Sequence, residues 1–299
     1  MADLDDLLVK TSRTFALSIP VLPEPTRSEV MISYLLFRIA DTFEDASHWE
    51  AQSRIEVLER FVELLRADND EDGASDVQRW LVLSPSAHDG YLELIAEVPA
   101  VLKAFRTLAP RAQEEIRRHT IRTSQGMAEY VSRTAASGLQ LRDLADLRHY
   151  CYVVAGLVGE MLTELFLLGR ESLEPVADYL RRRSRSFGEA LQLVNILKDS
   201  ADDALEGRSY LPADVSRDEV FRLARRDLDS STEYVRALQQ ASAPRGLVAF
   251  TALPVLLARA TLDRVQSEGP GAKLSRPEVA GIVQQINLAL DEDRSALPA

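Results

Sequence analysis

Apolar residues recur along most of this chain every three or four positions, the period of a helix with one buried face. Residues 26–46 run through Val30, Ile32, Tyr34, Leu35, Phe37 and Ile39, and open on Thr26 and Glu29 at capping-box spacing. Residues 51–67 set Ile55, Leu58, Phe61, Val62 and Leu65 at helical steps, with charges between them. The same pattern predicts helices at 91–108, 111–136, 143–168, 174–203, 217–240, 245–267 and 276–290. Acidic, glycine-containing 67–76 reads as a loop, as does 83–90 with its Ser84-Pro85-Ser86 and Asp89-Gly90. Pro110, Gly138, Pro175 and Pro212 fall where breaks are needed. With no repeat, heptad run or shift in composition, the expectation is one all-α domain of roughly ten helices over residues 1–299, its ends (1–10 and 291–299) fraying.

Bulk properties narrow the function. Hydrophobic residues make up 46% of the chain, so a folded core is expected, and 13 Gly and 13 Pro leave few breakers among 299 residues. A net charge of −12 argues against a nucleic-acid binder and means that an anionic substrate needs local cations or metal. Cys151 is the only cysteine, which excludes an internal disulfide and suits a reducing compartment. Met1-Ala-Asp-Leu-Asp-Asp has neither the basic start nor the apolar core of a signal peptide, so a cytoplasmic setting is expected. The apolar run over 150–169 contains Glu160 and Glu164, which suit a buried helix better than a lipid-facing one. Peripheral membrane contact stays open, with Arg181-Arg182-Arg183 and Arg185 as either a solvated face or an anionic-surface contact.

Chemistry concentrates in two acidic clusters, Asp41-Thr-Phe-Glu44-Asp45 and Asp199-Ser-Ala-Asp202-Asp203. Each sets carboxylates at i, i+3 and i+4, positions that share a side of a helix. Tyr34 and Arg38 extend the first stripe; Gln192 and Asn195 extend the second. Hard oxygen donors in this number suit Mg²⁺, which takes few protein carboxylates and completes its shell with water and substrate phosphate. One such stripe is as readily a solvated helix end. Two in one chain, the second ringed by Leu191, Leu193, Val194, Ile196 and Leu197, point to a metal–diphosphate site. The histidines at 48, 88, 119 and 149 have no metal-ligand spacing.

Further blocks match a family in order and spacing. They are Ser12-Arg13-Thr14-Phe15, Tyr34 through Asp45, Tyr150-Cys-Tyr-Val-Val-Ala-Gly-Leu-Val-Gly159, and Gln192 through Asp203. Glu206-Gly-Arg208-Ser-Tyr-Leu-Pro212, Phe250-Thr-Ala-Leu-Pro254 and Lys273-Leu-Ser-Arg276 extend them. The chain resembles the squalene and phytoene synthases, head-to-head prenyl transferases, over nearly its whole length. The resemblance implies an isoprenoid-synthase-type helical bundle around a central cavity. It implies that Asp41, Asp45, Asn195, Asp199 and Asp203 gather Mg²⁺, helped by Glu44 and Asp202. Ser12, Arg13, Arg38, Gln192, Lys198, Arg208, Lys273 and Arg276 would serve the diphosphates, while Tyr150, Phe15 and Tyr34 would handle protons and carbocations.

The first acidic motif and the Tyr150 block look like squalene synthases. That branch implies farnesyl diphosphate as substrate, presqualene diphosphate as intermediate, and NADPH as reductant, although no glycine-rich dinucleotide fingerprint is visible. Two departures stand out: Lys198 where the family usually has arginine, and Asp202 where the squalene branch usually has glutamate. Dehydrosqualene, hydroxysqualene and phytoene synthases share the first half-reaction and are the nearest alternatives. Readings of other kinds are a non-catalytic relative that assembles respiratory complexes, which the intact acidic motifs disfavour, and a terpene cyclase, which the Tyr150 block disfavours.

Overall fold

The computed structural model describes residues 3–12, 14–67, 73–133, 138–205 and 207–297, and its regular structure is helical. The chain forms two compact units, Met1–Pro20 with Glu24–Arg133, and Val21–Pro23 with Thr134–Ala299.

The first unit holds α1 (Leu4–Thr11), α2 (Phe15–Ser18), α3 (Thr26–Glu44), α4 (Ala51–Arg66), α5 (Ala74–Leu83), α6 (Asp89–Ala96), α7 (Val98–Arg106) and α8 (Pro110–Ser132). Its core is apolar α3 and α4 packed on α8 and α7, with Leu35, Leu36, Ile39, Leu58, Val101 and Ile116 essentially inaccessible. Phe43 sits edge-on to Trp80 at 4.9 Å and to Phe61 at 6.3 Å, tying α5 to α3 and α4.

Several expectations change here. Residues 1–10 were expected to fray, yet α1 is capped by Asp3, whose carboxylate accepts from Asp5 and Asp6, and it buries Leu7 and Leu8. The helix over 91–108 is in fact two, because Pro99 in the first turn of α7 cannot donate into a continuing ladder. α5 begins inside the loop expected over 67–76, straight after Gly73 at φ +74°, a backbone region that glycine enters without penalty. The Thr26–Glu29 capping box is not what starts α3, whose N-cap is Pro25. A true box forms instead at Ser275 and Glu278.

The second unit is built around the 29-residue α11 (Ala177–Leu205), against which pack α9 (Leu144–Cys151), α10 (Leu157–Leu167), α12 (Arg217–Gln240) and α13 (Arg245–Glu268). The capped α14 (Arg276–Asp291) lies on α13. The C-terminal stretch expected to fray is docked: Ala296 and Leu297 are buried, and Gln239 bonds both Arg294 and Ala296. Between α9 and α10 the helix widens into one π turn, Tyr152–Gly156, closed by Leu157 N–H donating to Tyr152 O. That turn is pressed onto α11 through glycines: a Cβ on Gly188 would lie 1.9 Å from Ala155 O, and one on Gly159 would lie 2.1 Å from Ser184 O.

An ionic cluster with two buried carboxylates lies at this junction. Glu189, fully inaccessible, accepts from Arg148 of α9 at 3.0 Å and from Arg185 of its own helix. Asp227 of α12 lies 3.7 Å from Arg148, and its buried Oδ2 has no hydrogen-bond partner among the described residues. Burial pushes the Asp227 carboxyl up to about 6; Arg148 opposes this, Glu189 reinforces it, and Arg226 and Arg185 oppose it weakly. The ordinary value is about 3.9, so between about pH 4 and 6 the folded state binds the extra proton. This group's contribution is therefore complete at low pH and lost as pH rises through 6. Asp227→Asn, which cannot titrate, should flatten that part of the profile. The wild-type minus variant stability from urea melts should fall from pH 4 to 6.5, and a constant difference would refute the assignment.

Candidate functional site

In the first unit, α3 turns the sequence stripe into geometry. Tyr34 is half-buried and donates its hydroxyl to Thr11 O at 2.8 Å, while Phe15 leans on its ring at 5.4 Å. Ser12 Oγ accepts from Phe15 N at 2.9 Å and so starts α2. One turn beyond Tyr34, the Arg38 guanidinium lies over two rings, Tyr34 at 5.7 Å and Tyr91 at 5.4 Å. It pairs with Asp41 at 3.3 Å, and its buried Nε has no hydrogen-bond partner among the described residues. Desolvation raises the Asp41 carboxyl to about 6 despite Arg38, with Asp45 adding repulsion. The three acids differ in setting: Asp45 is exposed, Asp41 half-buried and Glu44 buried. Arg13 lies outside the described residues.

The second unit repeats the arrangement on α11. Asn195 and Asp202 are exposed, while Gln192, Lys198, Asp199 and Asp203 are half-buried. Lys198 Nζ sits 3.1 Å from Asp199, and Arg208 reaches Asp203 at 3.6 Å after capping the helix through N–H to Asp203 O. The helix is braced from two sides. Arg217 donates to Leu197 O and Ser200 Oγ, and Gly271 N–H donates to Lys198 O at 2.7 Å. That last bond holds the loop carrying exposed Lys273 beside the acidic segment; Arg276 is exposed at the start of α14. Tyr150, buried at the end of α9, stacks on Tyr210 at 4.9 Å. Tyr210 is placed by main-chain bonds between Ser209 and the Leu139–Leu141 segment.

Among the described residues no three acidic, histidine or cysteine side chains converge as a ready-made metal cage. The donors are carboxylates and an amide along two helix ends, with Asp41 beside Arg38, Asp199 beside Lys198 and Asp203 beside Arg208. This donor set fits Mg²⁺ when phosphate oxygens complete the shell.

A family model described as squalene/phytoene synthase matches residues 8–221. The chain belongs to the squalene/phytoene synthase family. Among squalene/phytoene synthase relatives, the squalene synthase of Candida albicans is 30% identical over 210 residues, and that of Saccharomyces cerevisiae 32% over 212. Each alignment covers 70% of this chain and 45% of the relative. The chain thus matches about half the length of those proteins. The squalene synthase of Yarrowia lipolytica is 29% identical, with 87% of this chain and 60% of that protein covered. A solved ligand complex of the protein named TcSQS superposes with a TM-score of 0.74 at 23% identity, over 97% of this chain and 87% of that one. A dehydrosqualene synthase complex gives 0.64 at 19% identity, over 97% and 95%. At these identities the likeness establishes the all-α fold expected from the sequence.

The family motifs account for α3 and α11 but not for the aromatics that steady them. Tyr91 comes from a helix with no motif, 53 positions beyond Arg38, and nothing in the sequence signals their contact. Tyr210 does lie in the block that supplies Arg208, and an aromatic there was the available clue. The basic string of α11 is largely consumed by ion pairs. Arg181 binds Glu164 at 2.8 Å, Arg183 binds Glu233 at 2.6 Å and stacks on Tyr179, and Arg185 binds Glu189. Two stretches, Leu144–Leu167 and Arg245–Glu268, are long and apolar enough to cross a membrane by composition, and most of the apolar window in each is buried within the protein.

Proposed function

We propose that this chain is a prenyl transferase that condenses two molecules of farnesyl diphosphate head to head, through presqualene diphosphate, to squalene. The observation that carries the reading is the doubled motif within a family match: half-buried carboxylates beside a cation at the end of α3 and again at the end of α11. The whole chain is read as one catalytic domain, set in the cytoplasm.

Mg²⁺, held by Asp41, Asp45, Asn195, Asp199 and Asp203 with help from Glu44 and Asp202, would neutralise the diphosphates and make them leaving groups. Arg38 presents a planar fork to phosphate oxygens, already oriented by two ring faces. Arg13, Ser12, Gln192, Lys198, Arg208, Lys273 and Arg276 would add donors to the diphosphates. Loss of diphosphate from one chain leaves an allylic cation, which the double bond of the second chain attacks. Phe15 and Tyr34, locked against each other, offer π faces that steady such a cation. Tyr150 accepts or relays the proton whose loss closes the cyclopropane, and apolar helices keep out water that would trap the cation as an alcohol. NADPH, the reductant of the last step, enters from the resemblance to squalene synthases. The described residues hold no strand–glycine loop–helix unit for it, so no residue is assigned to it.

The test is incubation of the purified protein with Mg²⁺ and farnesyl or geranylgeranyl diphosphate, with and without NADPH, followed by product identification. Squalene from the C15 substrate with NADPH is the expected result. Presqualene diphosphate alone, or an unreduced or hydroxylated C30 product, would keep the first half-reaction and overturn the squalene assignment. No diphosphate release from either substrate would overturn the enzymatic reading.

A further inference from the structure

The cluster of Arg148, Glu189, Arg185 and Asp227 includes no residue of either acidic motif, and the proposed chemistry does not use it. Two buried carboxylates held by arginines that stay partly exposed are a poor source of stability, since desolvation of the carboxylates offsets most of the attraction. Such clusters do fix one arrangement against its neighbours, because any other leaves a buried charge unpaired. This one ties three helices at the place where α9 departs from regular geometry. Glu189 takes Arg148 on one oxygen and Arg185 on the other. Arg185 in turn covers the ring of Tyr152, the first residue of the π turn, at 4.5 Å. The missing Cβ of Gly156, the last residue of that turn, would contact Glu189 Oε1 at 3.4 Å. Both ends of the turn are therefore gripped by one carboxylate and its arginine. Tyr150 lies between Arg148 and Tyr152, on the opposite side of the helix, where it meets Tyr210.

We infer that Glu189, with Arg148, Arg185 and Asp227, is a positioning device that locks the π turn onto α11 and so fixes the ring of Tyr150 for its step in the reaction. The inference rests on the role proposed above for Tyr150. It deepens that reading by adding residues that never touch substrate.

Cys151 supplies a readout independent of turnover. It is the only thiol in the chain, it is fully buried between Tyr150 and Tyr152, and burial, reinforced by Glu189 and Asp227, pushes its ionisation well above the ordinary range. An aromatic disulfide reagent can therefore label it only when this segment opens. Glu189→Gln and the milder Arg185→Lys, at a half-exposed arginine, should each raise the native-state labelling rate about tenfold without a matching loss of global stability in urea. Both should lower kcat about tenfold with KM within twofold, and each combined with Tyr150→Phe should cost less than the sum of the single losses. Labelling that is unchanged, or that rises only in step with global unfolding, would overturn the device; so would additive losses in kcat. If the wild type turns over no prenyl diphosphate, the functional reading fails, and labelling alone decides whether the cluster holds the turn.

Discussion

Asp41→Asn is expected to lower turnover of prenyl diphosphate by at least about three orders of magnitude, roughly 4 kcal/mol of transition-state stabilisation, while leaving the fold intact. The amide has the same shape and keeps a carbonyl oxygen, but it cannot contribute charge to a cation bound with diphosphate. Stability should not fall. Desolvation already raises the Asp41 carboxyl to about 6, so the ionised group is a burden to the folded state at neutral pH. The variant should melt at the wild-type temperature or slightly above it. Asp199→Asn should cause a comparable loss in turnover, and there the freed Lys198, its 3.1 Å partner neutralised, should offset part of any rise in KM for the diphosphate. Steady-state kinetics with thermal melts on the same preparations decide the matter. Near-normal activity in both variants would mean that the acidic helices are surface decoration.

The second large effect is structural. Gly188→Ala should destabilise the second unit by about 3 kcal/mol, or prevent it from folding, as overpacking against backbone does. Its Cβ would meet Ala155 O at 1.9 Å and Ala155 C at 2.6 Å, atoms that cannot swing away as a side-chain tip can. The same substitution at Gly281, in the middle of α14 with nothing within 4 Å, should have the opposite sign and stabilise by about 0.5–1 kcal/mol through helix propensity. Urea unfolding of the two variants side by side checks both directions. A mild effect at Gly188 would show that α11 and the π turn separate easily, and would weaken the positioning role given to Glu189.

What was legible in the sequence follows from where the physics is local. The helix expected over 217–240 is found at Arg217–Gln240, because charged and apolar positions alternate there with a clean helical period and Ser216 caps it. Eight residues of α1 give only two turns, too few for the pattern to stand out, and its burial depends on α3 and α6. The break before α7 is marked by Pro99, inside a run whose apolar period continues across it. At the candidate site the acidic stripes were readable because i, i+3 and i+4 belong to one helix. The stacking of Tyr91 on Arg38, the bracing of α11 by Arg217, and the Glu189 cluster join residues from different helices, and no spacing rule reaches that far.

The bond from Gly271 to the Lys198 carbonyl bears on how far the functional unit extends along the chain. The family match stops at residue 221, and every carboxylate of the two acidic motifs lies within it. Yet α11 rests on α13, whose Phe250 and Leu247 are buried, and its acidic end is held from a loop fifty residues past that limit. A fragment trimmed to the matching region would keep both acidic motifs and lose the wall on which the second one is mounted.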